Sequence, residues 1–335
     1  MAPEIAAKPS ISEEYEDLLG LWADLELTLS VLLARPGHVR NFEEKLRHID
    51  GWLQELVQHD VDASLYLMFQ LASTSTVGYS ASHALVCATL CHIMAREFAL
   101  CAPERDALVL AALTMNISMT RMQDELALQR EAPSAQQMDV IDNHGRDSQN
   151  MLRELDISNE LYLGLVGQHH GKLGSEHTLL ANMAPAARLL RILGTIDRYA
   201  AMTSPRKSRP GRSATESVRA LVGMEIDQRG EVGMMLIRTV GPYPPGTFVR
   251  LDDGTVAIVL RRSNKPNKPL VASVLDSIGA PLTEPQMHHT SLGKPHIKSS
   301  VASMAVSVEL NHRIMVRLGL YASRPAVPLV SRGAV

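Results

Sequence analysis

A mainly α-helical bundle, with a helical lead-in before it and a small β-rich subdomain after it, is the fold predicted by three features of this 335-residue chain. Apolar residues recur at spacings of three and four from Ile11 to about Leu221, as in Leu18, Leu19, Leu21, Trp22, Leu25 and Leu27, which is the stripe of a helix. Strand patterns are almost absent from that stretch. After Val222 the composition changes, and Gly241-Pro-Tyr-Pro-Pro-Gly246 introduces turn chemistry followed by alternating segments. The expected divisions are a helical region over 1–75, the bundle over 76–225, the β-rich subdomain over 226–290 and a C-terminal segment over 291–335.

Each element has its own signal. Pro36-Gly37 ends the first helix, and a second is predicted from Phe42 to Gln58. Asp60 or Asp62 offers a carboxylate to cap a third. Tyr79 to Leu100 is apolar nearly all round, the property of a helix buried inside a bundle, with Ser80 or Ser82 placed near its start. Pro103-Glu104 suits the opening of the next helix, because proline in a first turn forfeits no internal hydrogen bond, and that helix is predicted to end near Met115. Further on, Thr247 to Leu251 and Val256 to Leu260 flank Asp253-Gly254 and read as a β-hairpin. Val271 to Leu275 adds a strand before Gly279-Ala280-Pro281. Val301 to Leu320 fits a helix, although the alternation from Val301 to Leu310 also fits a strand, and the last residues read as a tail.

With 45% hydrophobic and 21% charged residues the chain can bury one large core or two moderate ones. A net charge of −3 gives no global attraction for nucleic acid. The longest apolar run, Ala107 to Met115, is far short of the ~18 residues that span a bilayer, so no membrane partner is expected. Met1 to Asp17 carries Glu13, Glu14, Glu16 and Asp17 in place of the basic-then-apolar order of a secretory signal, and the expected compartment is the cytoplasm. Cys87, Cys91 and Cys101 lie close together in an apolar segment and are expected as reduced thiols.

Among thirteen histidines, His169-His170 closes a helix-like segment just before Gly171-Lys172-Leu173-Gly174. Adjacent helical side chains point about 100° apart, so such a pair serves one site only at a helix end or across a two-metal cluster. The plainer alternative is two surface histidines, which His288-His289 in a Pro-rich loop is expected to illustrate. Four segments in order weigh towards a site: Tyr79-Ser-Ala-Ser-His83, Asn143-His144, His169-His170 and Ile196-Asp197-Arg198-Tyr199-Ala200-Ala201-Met202-Thr203-Ser204. In this order they resemble the HD-GYP family, HD-superfamily phosphodiesterases that hydrolyse cyclic di-GMP with two or three metal ions held in a helical bundle. Val240-Gly-Pro-Tyr-Pro-Pro-Gly-Thr-Phe-Val249 and its Asp-Gly hairpin resemble the small region after that bundle, so the resemblance covers roughly residues 45 to 285.

The resemblance implies an HD-domain-like bundle and metal ligands at His83, His144, His169, His170 and Asp197. It also implies a His-Asp pair after Ala111-Ala112-Leu113-Thr114, where this chain has Met115 and Asn116. The family lysine is Met119 here, the glutamate after the paired histidines is Gly171, and Gly174-Ser-Glu-His-Thr178 replaces the Asp-Gly-x-Gly-Tyr-Pro stretch. The glutamate that some three-metal members carry four residues before the first histidine is Tyr79. In the family the aspartate of the pair bridges two metals ~3.5–4 Å apart. A neutral amide at Asn116 lacks the charge to offset two dications, and Met115 is a soft thioether unsuited to hard metals. His144, His169 and His170 still make an adequate set for one Zn, Fe or Mn ion; the alternative is no metal, with the histidines merely hydrogen-bonded.

Thr203-Ser204-Pro205-Arg206-Lys207-Ser208-Arg209 matches the basic pattern that contacts dinucleotide phosphates in the family, which makes Arg206 and Arg209 the phosphate-binding candidates. Lys207 and Arg212 read as a solvated basic linker. Cys87 and Cys91 follow His83 by four and eight residues on one stripe, and are expected to pack as small apolar side chains rather than to ligate. Met115, Met119 and Met122 are likewise expected to pack, and the spacing of Asp139, Asp142 and Asp147 singles out no substitute carboxylate. The function implied is that of a degenerate HD-GYP-like protein of bacterial cyclic di-GMP signalling, a non-catalytic module binding that nucleotide, a related one, or a protein signalling partner. An atypical metal-dependent phosphodiesterase is the alternative. The helices from Ile11 to Gln58 are the expected surface for a homodimer or a partner.

Overall fold

Helices α1 (Ile11–Ala34) and α2 (Phe42–His59) are parted by a 3-10 turn at Pro36–His38, where the proline ring fixes φ and removes a donor. The computed structural model describes residues 11–74, 77–171, 178–208, 211–223 and 230–323. Over these the chain is a mainly α-helical bundle with an N-terminal helical region and a small C-terminal antiparallel sheet. Helix α2 buries Phe42, Leu46, Ile49, Leu53, Leu56 and Val57, one stripe at helical spacing. Asp60 then caps α3 (Val61–Thr74), its Oδ1 accepting from the N–H groups of Asp62 and Ala63, both at 3.0 Å. Asp62 is free of that duty and turns outward to Arg262.

Helix α4 (Tyr79–Glu97) is the central helix, buried at every residue from Ser80 to Ala95. Its start departs from the sequence expectation. The N-cap is Gly78, with no capping side chain of its own, and neither Ser80 nor Ser82 caps. Asp124 of α6 (Thr120–Leu128) does the work from elsewhere in the chain, accepting from the Ser80 N–H at 2.7 Å. The serine hydroxyls instead tie α4 to its neighbours, Ser80 donating to the Thr120 carbonyl and Ser82 to Glu26 of α1.

Helix α5 (Ala102–Thr114) opens on Pro103, with Glu104 accepting from the Cys101 N–H, and ends with Met115 as its C-cap. A 3-10 turn at Ile117–Met119 leads into α6. Helix α7 (Ala135–Glu154) begins in a capping box of Ser134 and Gln137, and α8 (Glu160–Gln168) begins on Asn159, whose side chain accepts from the Tyr162 N–H. Helices α9 (Pro185–Thr203), α10 (Ala214–Gly223) and α11 (Glu231–Val240) complete the bundle, with α9 packed on α4, α5 and α8.

Strands β1 (Phe248–Leu251), β2 (Val256–Arg261), β3 (Leu270–Leu275), β4 (Pro281–His289) and β5 (Ile297–Val301) form an antiparallel sheet in the order β4-β3-β2-β1-β5. The predicted hairpin is β1–β2, with Phe248 opposite Ile258. His288-His289, expected in a loop, lies on edge strand β4 opposite Val271 and Leu270, and His288 Nε2 stands 3.1 Å from Ser273 Oγ. The 301–320 segment, left open between helix and strand, divides: β5 ends at Val301 and α12 (His312–Ser323) begins eleven residues later. Charge and close approach dock the sheet on the bundle. Arg261 reaches Asp60 at 2.7 Å, Arg262 reaches Asp62 at 2.6 Å, and a Cβ on Gly246, at φ 84°, would stand 2.6 Å from the Tyr66 carbonyl. Among the described residues no helix is long and apolar enough to cross a membrane.

Candidate metal centre

Helices α4, α7, α8 and α9 bring donor side chains together in two neighbouring clusters. The first joins His144 of α7 to His169 and His170 at the end of α8. His144 and His169 are buried, whereas the His170 side chain is 52% exposed. The rings of His169 and His170 are 4.1 Å apart and that of His144 lies 4.9 Å and 5.1 Å from them.

Hydrogen bonds orient two rings of this trio. Nδ1 of His144 faces the Ile141 carbonyl, and Nδ1 of His169 faces the Val166 carbonyl at 2.7 Å. A carbonyl oxygen only accepts, so each Nδ1 carries a proton, and a ring in its neutral form presents a lone pair at Nε2. Those two Nε2 atoms face each other at 3.0 Å. Facing lone pairs repel unless a proton or a metal ion lies between them; tetrahedral nitrogens each ~2.0–2.1 Å from one ion stand about 3.3 Å apart, so a metal would part this pair by a few tenths of an ångström. The carbonyl partner on the far nitrogen is also the arrangement that orients metal-bound histidines. Burial first, and then the charge of His170, push the His169 pKa down to about 3, which keeps its ring neutral. Burial lowers His170 too, with His144, Arg198 and His83 adding to the effect and Asp197 opposing it.

The second cluster is His83 and Cys87, one turn apart on α4, with Asp197 of α9. Nε2 of His83 lies 2.9 Å from Asp197 Oδ1 and 3.6 Å from Cys87 Sγ. Burial by itself would raise the Asp197 pKa, but the hydrogen bond and charge of His83, followed by His169 and His170, outweigh it and hold the carboxyl below its usual range. Burial, then Asp197 and Cys91, push the Cys87 thiol well up. The clusters meet at Asp197, whose Oδ2 is 4.0 Å from His170 Nδ1.

Around this centre, Tyr79 stacks on His83 with ring centroids 5.6 Å apart. Arg206 lies 4.6 Å from the centre of the Tyr79 ring and donates to the Tyr79 hydroxyl at 2.8 Å, while its Nε is buried without a partner. Lys207 and Arg212 are exposed. Arg209 and residues 174–177 of the replaced stretch lie outside the described residues. Met115 is wholly buried in the apolar core. Asn116 is half-buried and its carbonyl accepts from the Met119 N–H at 3.0 Å; Met119 is half-buried as well. Ser118, in the same turn, ties the link to α7, donating through its hydroxyl to the His144 carbonyl and through its N–H to Ser148. A Cβ on Gly171 would lie 2.9 Å from the Gln168 carbonyl, so this backbone path leaves no room for a glutamate there. Asp139 and Asp142 are exposed, Asp147 pairs with Arg146 at 3.1 Å, and none of the three joins either donor group.

Sequence reasoning placed Cys87 in the core, and it is fully buried, but its thiol also faces His83 and belongs to the donor group. The spacing of four from His83 was the available signal. Nothing in the sequence pairs Tyr79 with Arg206, which are 127 positions apart.

No family model matches the chain. In sequence it is 23% identical over 188 residues to the cyclic di-GMP phosphodiesterase PA4108 of Pseudomonas aeruginosa, a match covering 56% of this chain and 45% of that protein, so the chain spans less than half of that relative. Among solved structures, Bd1817, an HDGYP protein from Bdellovibrio bacteriovorus, aligns with a TM-score of 0.49 at 14% identity, over 70% of this chain and 73% of that one. In sequence the chain is thus similar, over about half of its length, to a cyclic di-GMP phosphodiesterase.

Proposed function

We propose that this chain is a non-catalytic, metal-binding module of cyclic di-GMP signalling. It holds one Fe, Mn or Zn ion on His144, His169 and His170 and binds cyclic di-GMP, or a related nucleotide, beside Arg206. The observation that carries the reading is the 3.0 Å approach of two Nε2 atoms whose partner nitrogens are both committed to carbonyls, an arrangement that a metal ion drawn between them would satisfy. Such an ion supplies positive charge and a Lewis-acidic contact for a phosphate oxygen. Arg206, held over Tyr79 with a buried unpartnered Nε, supplies a guanidinium fork at the same end of the bundle. The nucleotide class comes from the sequence relative, whose described activity is cyclic di-GMP hydrolysis.

Support for binding without turnover comes from the α5–α6 link. Two-metal hydrolysis needs a carboxylate to hold both ions. Met115 packs in the core, Asn116 brings a neutral amide, and Asp197 is engaged with His83. One observation favours the second reading, an atypical phosphodiesterase: the exposed His170 side chain opens the trio to solvent and substrate.

The test is metal content of protein purified without chelator, together with cyclic di-GMP binding and turnover in the presence of Mn²⁺ or Fe²⁺. An ion that depends on His169, and binding without turnover that is lost in Arg206→Ala, are expected. Release of linear dinucleotide or GMP that disappears in His144→Ala would establish the phosphodiesterase instead. A trio that binds no metal, in protein that binds no nucleotide, would overturn the proposal entirely.

A further inference from the structure

We infer that His83, Cys87 and Asp197 form a second metal site of different chemistry, a sulfur-containing site suited to Zn²⁺ in which the Cys87 thiolate is a ligand. It goes beyond the function proposed above and does not depend on the trio holding an ion. The three donor atoms lie within 4.8 Å of one another. For a tetrahedral ion with Zn–S ~2.3 Å and Zn–N ~2.0–2.1 Å, the sulfur–nitrogen edge is ~3.6 Å. The Cys87 Sγ to His83 Nε2 distance is 3.6 Å. The His83–Asp197 edge, at 2.9 Å, is a hydrogen bond that has to open by a few tenths of an ångström when its proton is exchanged for a metal.

Charge and softness point the same way. All three side chains are buried, at 2%, 0% and 7% exposure. A dication balanced by a thiolate, a carboxylate and a neutral imidazole is electrically neutral, the condition under which a dry interior tolerates charge. Sulfur favours Zn²⁺ over Mg²⁺ or Mn²⁺, so the site is separated from the harder metals of phosphoester hydrolysis. Geometry, rather than mere burial, selects the cysteine. Cys91, one turn further along α4 and equally buried, belongs to neither donor group, and Cys101 is exposed. Three protein ligands leave a fourth position for water or a ligand group.

Cobalt substitution of the full chain tests the inference, because a thiolate bound to Co²⁺ gives a near-ultraviolet sulfur-to-metal charge-transfer band that imidazole and carboxylate do not. The band is expected in the wild type, in His144→Ala and in the Cys91→Ser/Cys101→Ser double variant, and is expected to vanish in Cys87→Ser. Because His144→Ala removes the trio ion alone, failure of the trio and failure of this site are read separately. Zinc K-edge absorption of zinc-loaded wild-type protein needs no variant and is expected to show a sulfur shell at ~2.3 Å. Absence of both the band and the sulfur shell in the wild type overturns the inference. So does a band that survives in Cys87→Ser or is lost in the double variant.

Discussion

The two donor clusters share an edge at Asp197 yet are built on opposite plans. In the histidine trio the backbone sets the geometry, since the Ile141 and Val166 carbonyls hold two imidazoles with their free nitrogens face to face. In the α4–α9 cluster the side chains hold one another, His83 bonded to Asp197 and flanked by Cys87. The trio opens to solvent through His170, whereas the other cluster is sealed. A backbone-oriented set keeps its geometry when a neighbouring segment changes chemistry. That accounts for the convergence of His144 and His169 beside an α5–α6 link that carries Met115 and Asn116.

The largest effect is expected from His169→Ala. Losing a supporting partner of a metal ligand typically costs about 10–100-fold in affinity, and losing the ligand itself should exceed about 100-fold for the trio ion. Competition titration against a chromophoric chelator reads it. His83→Ala should leave the trio affinity within a few-fold, and an equal loss from both variants would break the distinction between the clusters.

Acid should separate them next. The folded-state pKa of His169 lies near 3 against an ordinary 6.5, so between those values the unfolded chain binds a proton that the folded one refuses. Metal-free protein therefore loses stability as pH falls from about 6.5 towards 3, by on the order of a few kcal/mol. Asp197 has the same sign in a lower window. Its folded pKa is depressed below the ordinary 3.8, so its contribution is intact down to about that pH and is lost only as pH falls further. Denaturant unfolding in EDTA at pH 7, 5 and 4 checks this, with a flatter profile expected for His169→Gln.

The fold was largely legible because its signals are local. Pro36, Asp60 and Pro103 act on the backbone within a few residues, and the α2 stripe is visible in its own spacing. What escaped is tertiary. The first turn of α4 is satisfied by Asp124, 44 positions away, so local serines were credited with a role that a distant carboxylate performs. Strand β4 is mostly exposed and carries Pro281 and Pro285 on the sheet edge, so it has no apolar alternation to reveal it. At the site, the sequence names His83 and Cys87 on one stripe, but only the packing of α9 on α4 sets Asp197 beside them.

A smaller effect should come from Arg206→Ala. The guanidinium reaches the sealed cluster only through Tyr79, which stacks on His83, and does not contact the trio. A charge-assisted hydrogen bond is worth about 1.5–3 kcal/mol, so cyclic di-GMP affinity should fall roughly tenfold or more while the trio metal content is unchanged. Calorimetric titration of metal-loaded wild type and variant measures it. A loss of metal with no loss of nucleotide affinity would assign Arg206 to the metal centre and remove it from phosphate recognition.

The smallest effect is the most discriminating. Cys87 and Cys91 are successive turns of the same buried helix, each at 0% exposure. Replacing either by alanine removes one polarisable atom from a packed core, at a cost of about 1 kcal/mol in metal-free protein, and packing alone predicts nearly equal losses. Zinc should make them unequal. An ion that binds only the folded chain raises stability by mass action, so the melting temperature of the wild type and of Cys91→Ala should rise with free zinc. Even with the trio disabled by His144→Ala, that rise should persist in Cys91→Ala and disappear in Cys87→Ala. Equal zinc responses from the two variants would mean that Cys87 is core and nothing more, leaving Asp197 as the hydrogen-bond partner of His83 and the trio as the sole metal-binding feature among the described residues.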